Sequence, residues 1–145
     1  MDVKECIRKR ILREISSDIK KSESSIKIAK SKLIETRKLF ASEFFNNSVL
    51  SIYTSMFHAA RALLYKDGIQ EKSHYATYIY INEKYSDRIP RQLINAFNLL
   101  REDRHEILYG FQQNSSREEV ENFILDLEEF LAVIEKILKN ETKKT

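Results

Sequence analysis

The sequence predicts an all-α fold: an antiparallel up-and-down bundle of four to five helices in a single domain of residues 1–145. Only two glycines and one proline punctuate the chain, whereas turn-rich sheets need many more. Charged residues make up 32% of the sequence and hydrophobic residues 42%, a balance typical of long amphipathic helices. The connections between the periodic segments are short, which favours antiparallel neighbours.

The first segment, residues 3–45, carries apolar side chains mostly at helical steps. We expect one long helix, or two stacked helices with a break at the serine-rich residues 22–25. Residues 1–22 are then a helical extension that precedes the main bundle. Many lysines and arginines occupy the other face. Such a face is usually only a solvated surface, and the alternative is a surface that follows the phosphates of RNA or of a nucleotide.

Residues 49–68 are predicted to form the central helix, because apolar side chains surround this segment on almost every side. Small side chains recur within it at three- and four-residue steps, so one stripe lets a neighbouring backbone approach closely. Residues 46–48, Asn-Asn-Ser, supply turn chemistry and an N-cap. Gly68, which follows Asp67, suits a left-handed C-cap.

The third and fourth helices follow. Residues 72–85 are rich in tyrosine and isoleucine, and propensity alone would predict a strand at residues 75–81. We predict a helix instead, because a lone strand would have no partner elsewhere in the chain and Ser73 is a suitable N-cap. The fourth helix has Pro90 in its first turn and ends at Gly110.

The last helix follows a polar loop at residues 112–116 and begins with Ser115 or Ser116 as its cap. Acidic side chains in its first turn suit the helix dipole. Its apolar stripe continues to residue 138, and the lysine-rich residues 139–145 are predicted to fray.

Composition also limits the class of protein. The single cysteine, Cys6, has no partner for an intrachain disulfide or a zinc knuckle, and we predict a cytoplasmic location. No apolar run approaches the ~20 residues that span a bilayer, and the charged N-terminus is unlike a signal peptide. No two of the three histidines are spaced i, i+4, so we expect no metal site and no cofactor.

The candidates for function are polar side chains in or beside apolar helices. The chain lacks a phosphate-binding glycine loop, a zinc-spaced Cys/His cluster and a serine elbow. A hydrogen-bonded structural role is the simplest explanation for any one such side chain. Cations and imidazoles from three segments together favour an anionic partner. The candidates are His58, Arg61, Lys72, His74, Arg101, Arg104, His105 and Tyr109.

Four segments occur in this order along the chain: Y-T-S-M-F-H-A-A-R-A-L-L-Y-K-D-G-I, E-K-S-H, I-P-R-Q-L and L-R-E-D-R-H-E-I-L-Y-G. Together they resemble the HEPN family, in its small archaeal and bacterial single-domain branch. The similarity runs from about residue 26 to residue 137. It implies an antiparallel helical bundle, commonly a homodimer, that acts beside a minimal nucleotidyltransferase in toxin–antitoxin-like pairs.

Nuclease members of that family cut RNA through an R-x(4-6)-H motif at the end of a helix, and this chain departs from it. Tyr109 occupies the earliest histidine position after Arg104, and His105 follows Arg101 one residue too soon. A tyrosine with an ordinary pKa of about 10 accepts protons poorly near neutral pH. The resemblance makes Arg104, His105 and Tyr109 the candidate catalytic residues and leaves open whether the protein is an enzyme.

Helix geometry adds a further constraint. Residues five apart on a regular helix, such as Arg104 and Tyr109, point about 140° apart. A second chain is therefore the simpler way to bring such groups to one ligand. This favours a homodimer.

Two functions use these residues directly. In the first, a cleft at a dimer interface binds a nucleotide or an RNA phosphate, and its lining includes His58, Lys72, His74, Arg104 and Tyr109. In the second, the protein is a metal-independent RNA endonuclease. His105 or His58 then replaces the missing histidine, and Arg104 stabilises the transition state.

A third function makes the same groups structural. Arg61 and Arg104 would then be paired to Glu102, to Glu106 or to main-chain carbonyls. The protein would dimerise and hold a nucleotidyltransferase partner. We rank ligand binding and partner holding together above RNA cleavage.

Overall fold

The computed structural model describes residues 1–110 and 114–142 of the chain. Within these residues it is a helical bundle, so the all-α prediction is confirmed. The elements are α1 (Val3–Arg8), β1 (Leu12–Glu14), α2 (Ile19–Ala41), α3 (Phe45–Lys66), β2 (Ile69–Glu71), α4 (His74–Lys84), α5 (Arg91–Tyr109) and α6 (Arg117–Thr142). No helix in the described part of the chain is both long and apolar enough to cross a membrane.

The central helix α3 packs against α2, α4, α5 and α6, as its sequence predicts. Its small residues let α2 approach closely, and Ala59 and Ala62 are fully buried. Ser55 Oγ donates to the carbonyl of Ala29 at 2.6 Å, and Ser22 Oγ donates to that of Ala62 at 2.8 Å. Each such hydrogen bond contributes about 1 kcal/mol net, so these contacts fix α2 against α3 as well as filling space.

The prediction of helix throughout residues 1–22 is wrong. α1 ends at Arg8, and β1 then pairs with β2 in an antiparallel two-stranded sheet whose register joins Leu12 to Glu71. Leu12 is only 1% exposed, so the short strand buries an apolar side chain that a continued helix would have to place elsewhere. The partner strand is available because Gly68 ends α3 and leaves the next residues extended.

Of the two alternatives for the first segment, the one with a break at residues 22–25 is wrong, because α2 runs through them without interruption. Ser22 and Ser25 are buried. A serine-rich run favours a turn when its hydroxyls bond locally, but here the Ser22 hydroxyl bonds to the backbone of α3. Tertiary contact therefore overrides the local preference.

Several predicted helix ends are confirmed. Gly68 follows α3 with a φ of +74°, and a Cβ there would lie 2.6 Å from the carbonyl oxygen of Ile15. Ser73 and Ser116 accept hydrogen bonds from first-turn amides of α4 and α6, at 3.0 and 3.2 Å. Pro90 directly precedes α5. Local capping chemistry thus sets these boundaries.

The start of α3 differs from its prediction. The helix begins at Phe45, so the expected cap, Ser48, lies inside the first turn. Phe44 occupies the N-cap and offers no side-chain hydrogen bond. Ser48 Oγ instead donates to the carbonyl of Phe44 at 2.7 Å, which satisfies a buried hydroxyl rather than a free amide.

Parts of two other predictions lie outside the described residues. They are residues 112–113 of the polar loop and residues 143–145 of the frayed tail. The remaining tail residues, 139–142, belong to α6.

A polar cluster at the C-terminal end of α3 joins that helix to α4 and α6. This Asp67 cluster consists of Lys66, Asp67, Tyr80, Tyr85, Arg88 and Glu141. The hydroxyls of Tyr80 and Tyr85 both donate to Asp67 Oδ2, at 2.8 and 2.6 Å. Lys66 pairs with Asp67 and Glu141, and Arg88 pairs with Glu141. Every charge in the cluster therefore has an opposite partner.

Candidate functional site

A second polar cluster lies where α3, α4 and α5 meet. This His74 cluster consists of Tyr53, Phe57, His58, Arg61, His74, Arg101 and Arg104. Ser73 caps α4, so His74 is the first residue of that helix and packs against α3. His74 Nδ1 lies 2.8 Å from the Tyr53 hydroxyl, and its ring centroid lies 4.3 Å from that of Phe57. The imidazole is thus held on two sides.

Arg104 approaches the same tyrosine from α5. Its guanidinium carbon lies 5.9 Å from the centroid of the Tyr53 ring, within the range of a cation–π contact. Phe97, also on α5, stacks on Tyr53 at 5.7 Å. Arg104 makes no hydrogen bond or ion pair with any side chain in residues 1–110 or 114–142. It is a half-buried cation without an opposite charge.

Arg101 lies one turn earlier on α5. Two of its nitrogens donate to Asn98 Oδ1 at 3.1 and 2.9 Å, and its guanidinium lies 5.2 Å from the ring centroid of Tyr75. An oxygen of Glu102 is 3.7 Å away, so the Arg101 charge is partly balanced.

The cluster shifts the titration of its own members. Burial lowers the pKa of His74, and the nearby charges of Arg104, Arg101 and Arg61 lower it further. His74 is therefore neutral near pH 7. Burial raises the pKa of Tyr53, so its hydroxyl keeps its proton.

The Tyr53–His74 hydrogen bond permits two arrangements. If the Tyr53 hydroxyl donates to Nδ1, the other imidazole nitrogen, Nε2, carries a proton and is a donor. If Nδ1–H donates to the hydroxyl oxygen, Nε2 is an acceptor. The same pair of residues can therefore present a hydrogen-bond donor or a base.

Arg61 is held within the protein. Its Nε lies 2.5 Å from Glu71 Oε1, and its guanidinium also bonds the Tyr65 hydroxyl. Burial raises the pKa of Glu71, although Arg61 opposes that shift. The sequence analysis considered Glu102, Glu106 or main-chain carbonyls as structural partners of Arg61. The observed partner is instead Glu71, on strand β2.

His58 joins the cluster through Phe57, whose ring it meets edge-on at 5.9 Å between centroids. Its Nδ1 is buried and has no hydrogen-bond partner among the described residues. Burial lowers the pKa of His58, and Arg61 and Lys32 lower it further.

The other three candidates from the sequence are not part of the His74 cluster. The rings of His105 and Tyr109 contact each other at 5.1 Å, and Tyr109 is 70% exposed. Lys72 is exposed and lines a groove with Arg10 and Arg13. The structure thus brings together five of the eight candidates.

Sequence reasoning missed the aromatic part of the cluster. It assigned Tyr53 and Phe57 to the apolar central helix and gave Tyr75 no role in a site. Their spacing offered one signal, since an i, i+4 aromatic pair beside a histidine can form a ring platform. No three His, Cys, Asp or Glu side chains in the described residues lie close enough to hold a metal ion.

Comparison with known proteins agrees with this architecture. A family model described as HEPN domain matches residues 22–137. A protein of Methanocaldococcus jannaschii named "Putative toxin MJ0605" is 29% identical over 133 residues, an alignment that covers 86% of this chain and 95% of that protein. The whole His74 cluster lies inside the matched residues, whereas α1 and β1 lie outside them.

Proposed function

Because this chain belongs to the HEPN family, we propose that it is a toxin-like HEPN protein whose His74 cluster binds a phosphate group of a nucleotide or of RNA. The name of its archaeal relative, a putative toxin, supports the proposal that the protein is toxin-like. The chemistry of the His74 cluster supports the proposal that it binds a phosphate group.

The observation that carries this function is Arg104. This guanidinium is half-buried beside a tyrosine ring, no carboxylate in the described part of the chain balances it, and such a group attracts an anion strongly. A phosphate offers two oxygens that accept parallel hydrogen bonds from one guanidinium, a match in both charge and geometry. Arg61 and Arg101 are already engaged by Glu71 and Asn98, so Arg104 is the cation that a ligand meets first.

His74 complements this binding. With Tyr53 donating to Nδ1, the Nε2 proton is available to a second phosphate oxygen. A bound dianion would offset the positive charges that lower the pKa of His74. Binding should therefore strengthen as the pH falls, because the complex takes up a proton that the free protein does not hold.

Binding to ATP and to a short single-stranded RNA at low salt tests this function. We expect Arg104→Ala to weaken binding by at least about tenfold, because a hydrogen bond to a charged group contributes about 1.5–3 kcal/mol. Arg91→Ala is the matched control, since Arg91 lies at the other end of α5 and bonds to Asn82. Equal binding by Arg104→Ala and wild type would rule the function out.

The partner proposal is a homodimer that pairs with a minimal nucleotidyltransferase. The resemblance to small HEPN proteins favours both. Leu108 and Tyr109, which are 45% and 70% exposed, offer an apolar surface on the last turn of α5, close to Arg104. Light scattering of the purified protein and co-purification with the candidate partner test this. A monomer at all concentrations, with no partner retained, would contradict it.

RNA cleavage is the second candidate function, and the position of His74 favours it. In the arrangement where Nδ1–H donates to Tyr53, Nε2 is free to take the proton of an RNA 2′-hydroxyl. The 2′-oxygen would attack phosphorus, the bond to the 5′-oxygen would break, and that oxygen would take a proton from water. Arg104 would stabilise the charge added at phosphorus. The products would be a 2′,3′-cyclic phosphate and a 5′-hydroxyl.

Incubation with RNA in the presence of a chelator tests cleavage. We expect His74→Ala and Arg104→Ala to abolish it and His105→Ala to retain it, because His105 contacts Tyr109 instead of the cluster. Cleavage that depends on His105 and not on His74 would contradict this assignment.

A further inference from the structure

A groove of about 560 Å³ lies at the N-terminal end of the chain, and none of its lining residues belongs to the His74 cluster. It is lined by Ile7, Arg10, Leu12, Arg13, Glu14 and Lys72. All of these except Lys72 lie outside residues 22–137, the part that matches the HEPN family model. The groove is thus built mainly by the segment that this chain adds to the family domain.

Three cations in this groove lack a hydrogen bond and an ion pair within residues 1–110 and 114–142. The side chains of Arg10, Arg13 and Lys72 make no hydrogen bond, ion pair or ring contact with any residue that the structure describes. Glu14 is the one carboxylate in the lining, so the groove has an excess of two positive charges. The positive electrostatic potential that results from this excess attracts anions.

The strand register keeps two of these cations close together. The Lys72 amide donates to the carbonyl of Ile11 at 2.9 Å, which continues the ladder that pairs Leu12 with Glu71. Arg13 is two residues beyond Ile11, so Arg13 and Lys72 are diagonal neighbours on one face of the ribbon. The positive charges of Arg13 and Lys72 therefore repel each other, and an anion bound between them would offset this repulsion.

Arg10, the third cation of the groove, has an unfavourable backbone conformation. Its φ is +62°, in the left-handed region that favours glycine. It occupies the position after the C-cap of α1, where its amide donates to Ile7 and the next amide donates to Cys6. Helices commonly end with glycine at this position. An arginine there gives up backbone stability and supplies a third cation.

We propose that this groove binds the phosphate of a nucleotide, either as a free mononucleotide or as the 5′-phosphate of an RNA end. A phosphomonoester carries close to two negative charges at pH 7, which matches the excess in the groove. Its oxygens accept bidentate hydrogen bonds from guanidinium groups. The proposal does not depend on the function of the His74 cluster.

The shape of the groove favours a small ligand over an acidic protein surface. Its volume lies in the range of small-molecule sites, and Ile7 and Leu12 add apolar lining beside the cations. A nucleoside can contact that lining while its phosphate contacts the arginines. A flat acidic surface would reach only the rim.

Arg10→Gly is the most informative variant, because it removes the cation and relaxes the backbone together. We expect AMP binding to weaken by at least about tenfold, while the melting temperature stays equal or rises. Glu43→Gly is the matched control: Glu43 has a φ of +64° at the corresponding position after α2, far from the groove in sequence. It should leave AMP binding unchanged.

Two further comparisons identify the site and the ligand. Lys72→Ala should weaken AMP binding, and Arg91→Ala, which changes a cation on α5 that bonds to Asn82, should retain it. Among RNA tetramers, the one with a 5′-phosphate should bind better than the same tetramer with a 5′-hydroxyl. If AMP does not bind but the phosphorylated tetramer does, the natural ligand is an RNA end.

The proposal is overturned if neither AMP nor the phosphorylated tetramer binds at low salt, or if an acidic peptide binds and they do not. It is also overturned if AMP binding is lost in Arg104→Ala and retained in Arg10→Gly and Lys72→Ala. In that last case the His74 cluster would be the AMP site, and the function proposed above would stand.

Discussion

The Asp67 cluster and the His74 cluster both join α3 to α4, and both contain tyrosine hydroxyls and arginines. In the Asp67 cluster each cation faces a carboxylate, and two tyrosines share one carboxylate oxygen. In the His74 cluster Arg104 has no carboxylate partner in the described residues, and His58 has a buried nitrogen without a hydrogen bond. The same residue types are therefore fully paired in one place, whereas in the other they leave Arg104 without an ion pair among the described residues.

The pKa directions follow the same division. Burial raises the pKa of Tyr80 and of Tyr85, and the charge of Asp67 and its hydrogen bonds raise both further, so both hydroxyls remain donors. In the His74 cluster, burial lowers the pKa of both imidazoles, and neighbouring lysine and arginine charges lower it further. Beyond burial, a carboxylate therefore sets the titration of the tyrosines in one cluster, and cations set that of the histidines in the other.

The largest expected effect is on the Asp67 cluster. Asp67→Ala should lower the free energy of unfolding by about 3 kcal/mol, because it leaves two largely buried tyrosine hydroxyls without an acceptor. Urea denaturation measures this. Asp67→Asn, which keeps an acceptor oxygen, should recover part of the loss. A loss below about 1 kcal/mol would mean that the cluster does not hold the helices.

Acid should destabilise the protein through the His74 cluster. The folded-state pKa values of His58 and His74 lie below the ordinary value of about 6.5, so the unfolded chain binds protons first. The two neutral histidines contribute their full share of the folding free energy above the unfolded-state pKa of about 6.5. That stabilisation is lost as the pH falls through their lower folded-state pKa values. Thermal unfolding at pH 7.5 and pH 5 measures it. The double variant His58→Gln/His74→Gln should show a weaker dependence, and an unchanged dependence would contradict the assignment.

Tyr53→Phe should have a smaller effect, a loss of about 1 kcal/mol, because it removes one hydrogen bond and keeps the ring that stacks on Phe97. It should also weaken phosphate binding, since His74 loses the group that orients it. If stability falls and binding is unchanged, His74 does not contact the ligand.

Arg104→Gln should have the smallest effect on stability, about 0.5 kcal/mol or less, because no opposite charge is left unpaired. It should nevertheless raise the pKa of His74, since Arg104 is the charge that lowers it most. An NMR titration of the imidazole measures this shift. A large loss of stability would place Arg104 with the structural arginines.

The sequence identified the elements that local chemistry specifies. Ser73 and Gly68 were predicted correctly as helix ends, one through its capping hydroxyl and the other through its left-handed backbone. Pro90, predicted in the first turn of its helix, lies at the N-cap of α5, directly before that turn. β1 was missed because its partner, β2, is distant in sequence and only the folded chain brings them together. The partner of Arg61 was missed for the same reason, since Glu71 belongs to that partner strand.

The candidate site could be predicted in part. His74 and Arg104 were selected because cations and imidazoles are unusual in apolar helices, and the structure places both beside Tyr53. Tyr53 itself looked like a core residue, because periodicity cannot tell a buried ring from a ring that supports a polar group. Tyr109 was selected for its position after Arg104, but its ring contacts His105 on another side of α5.

The central claim is that Arg104 and His74 together bind a phosphate. The most direct test is the pKa of His74, measured by NMR with and without saturating ATP. We predict that the pKa lies below the ordinary histidine value in the free protein and rises when ATP is bound, and that Arg104→Ala removes the rise. A His74 pKa that ATP leaves unchanged, in a protein that binds ATP, would show that the ligand lies elsewhere and would contradict the claim.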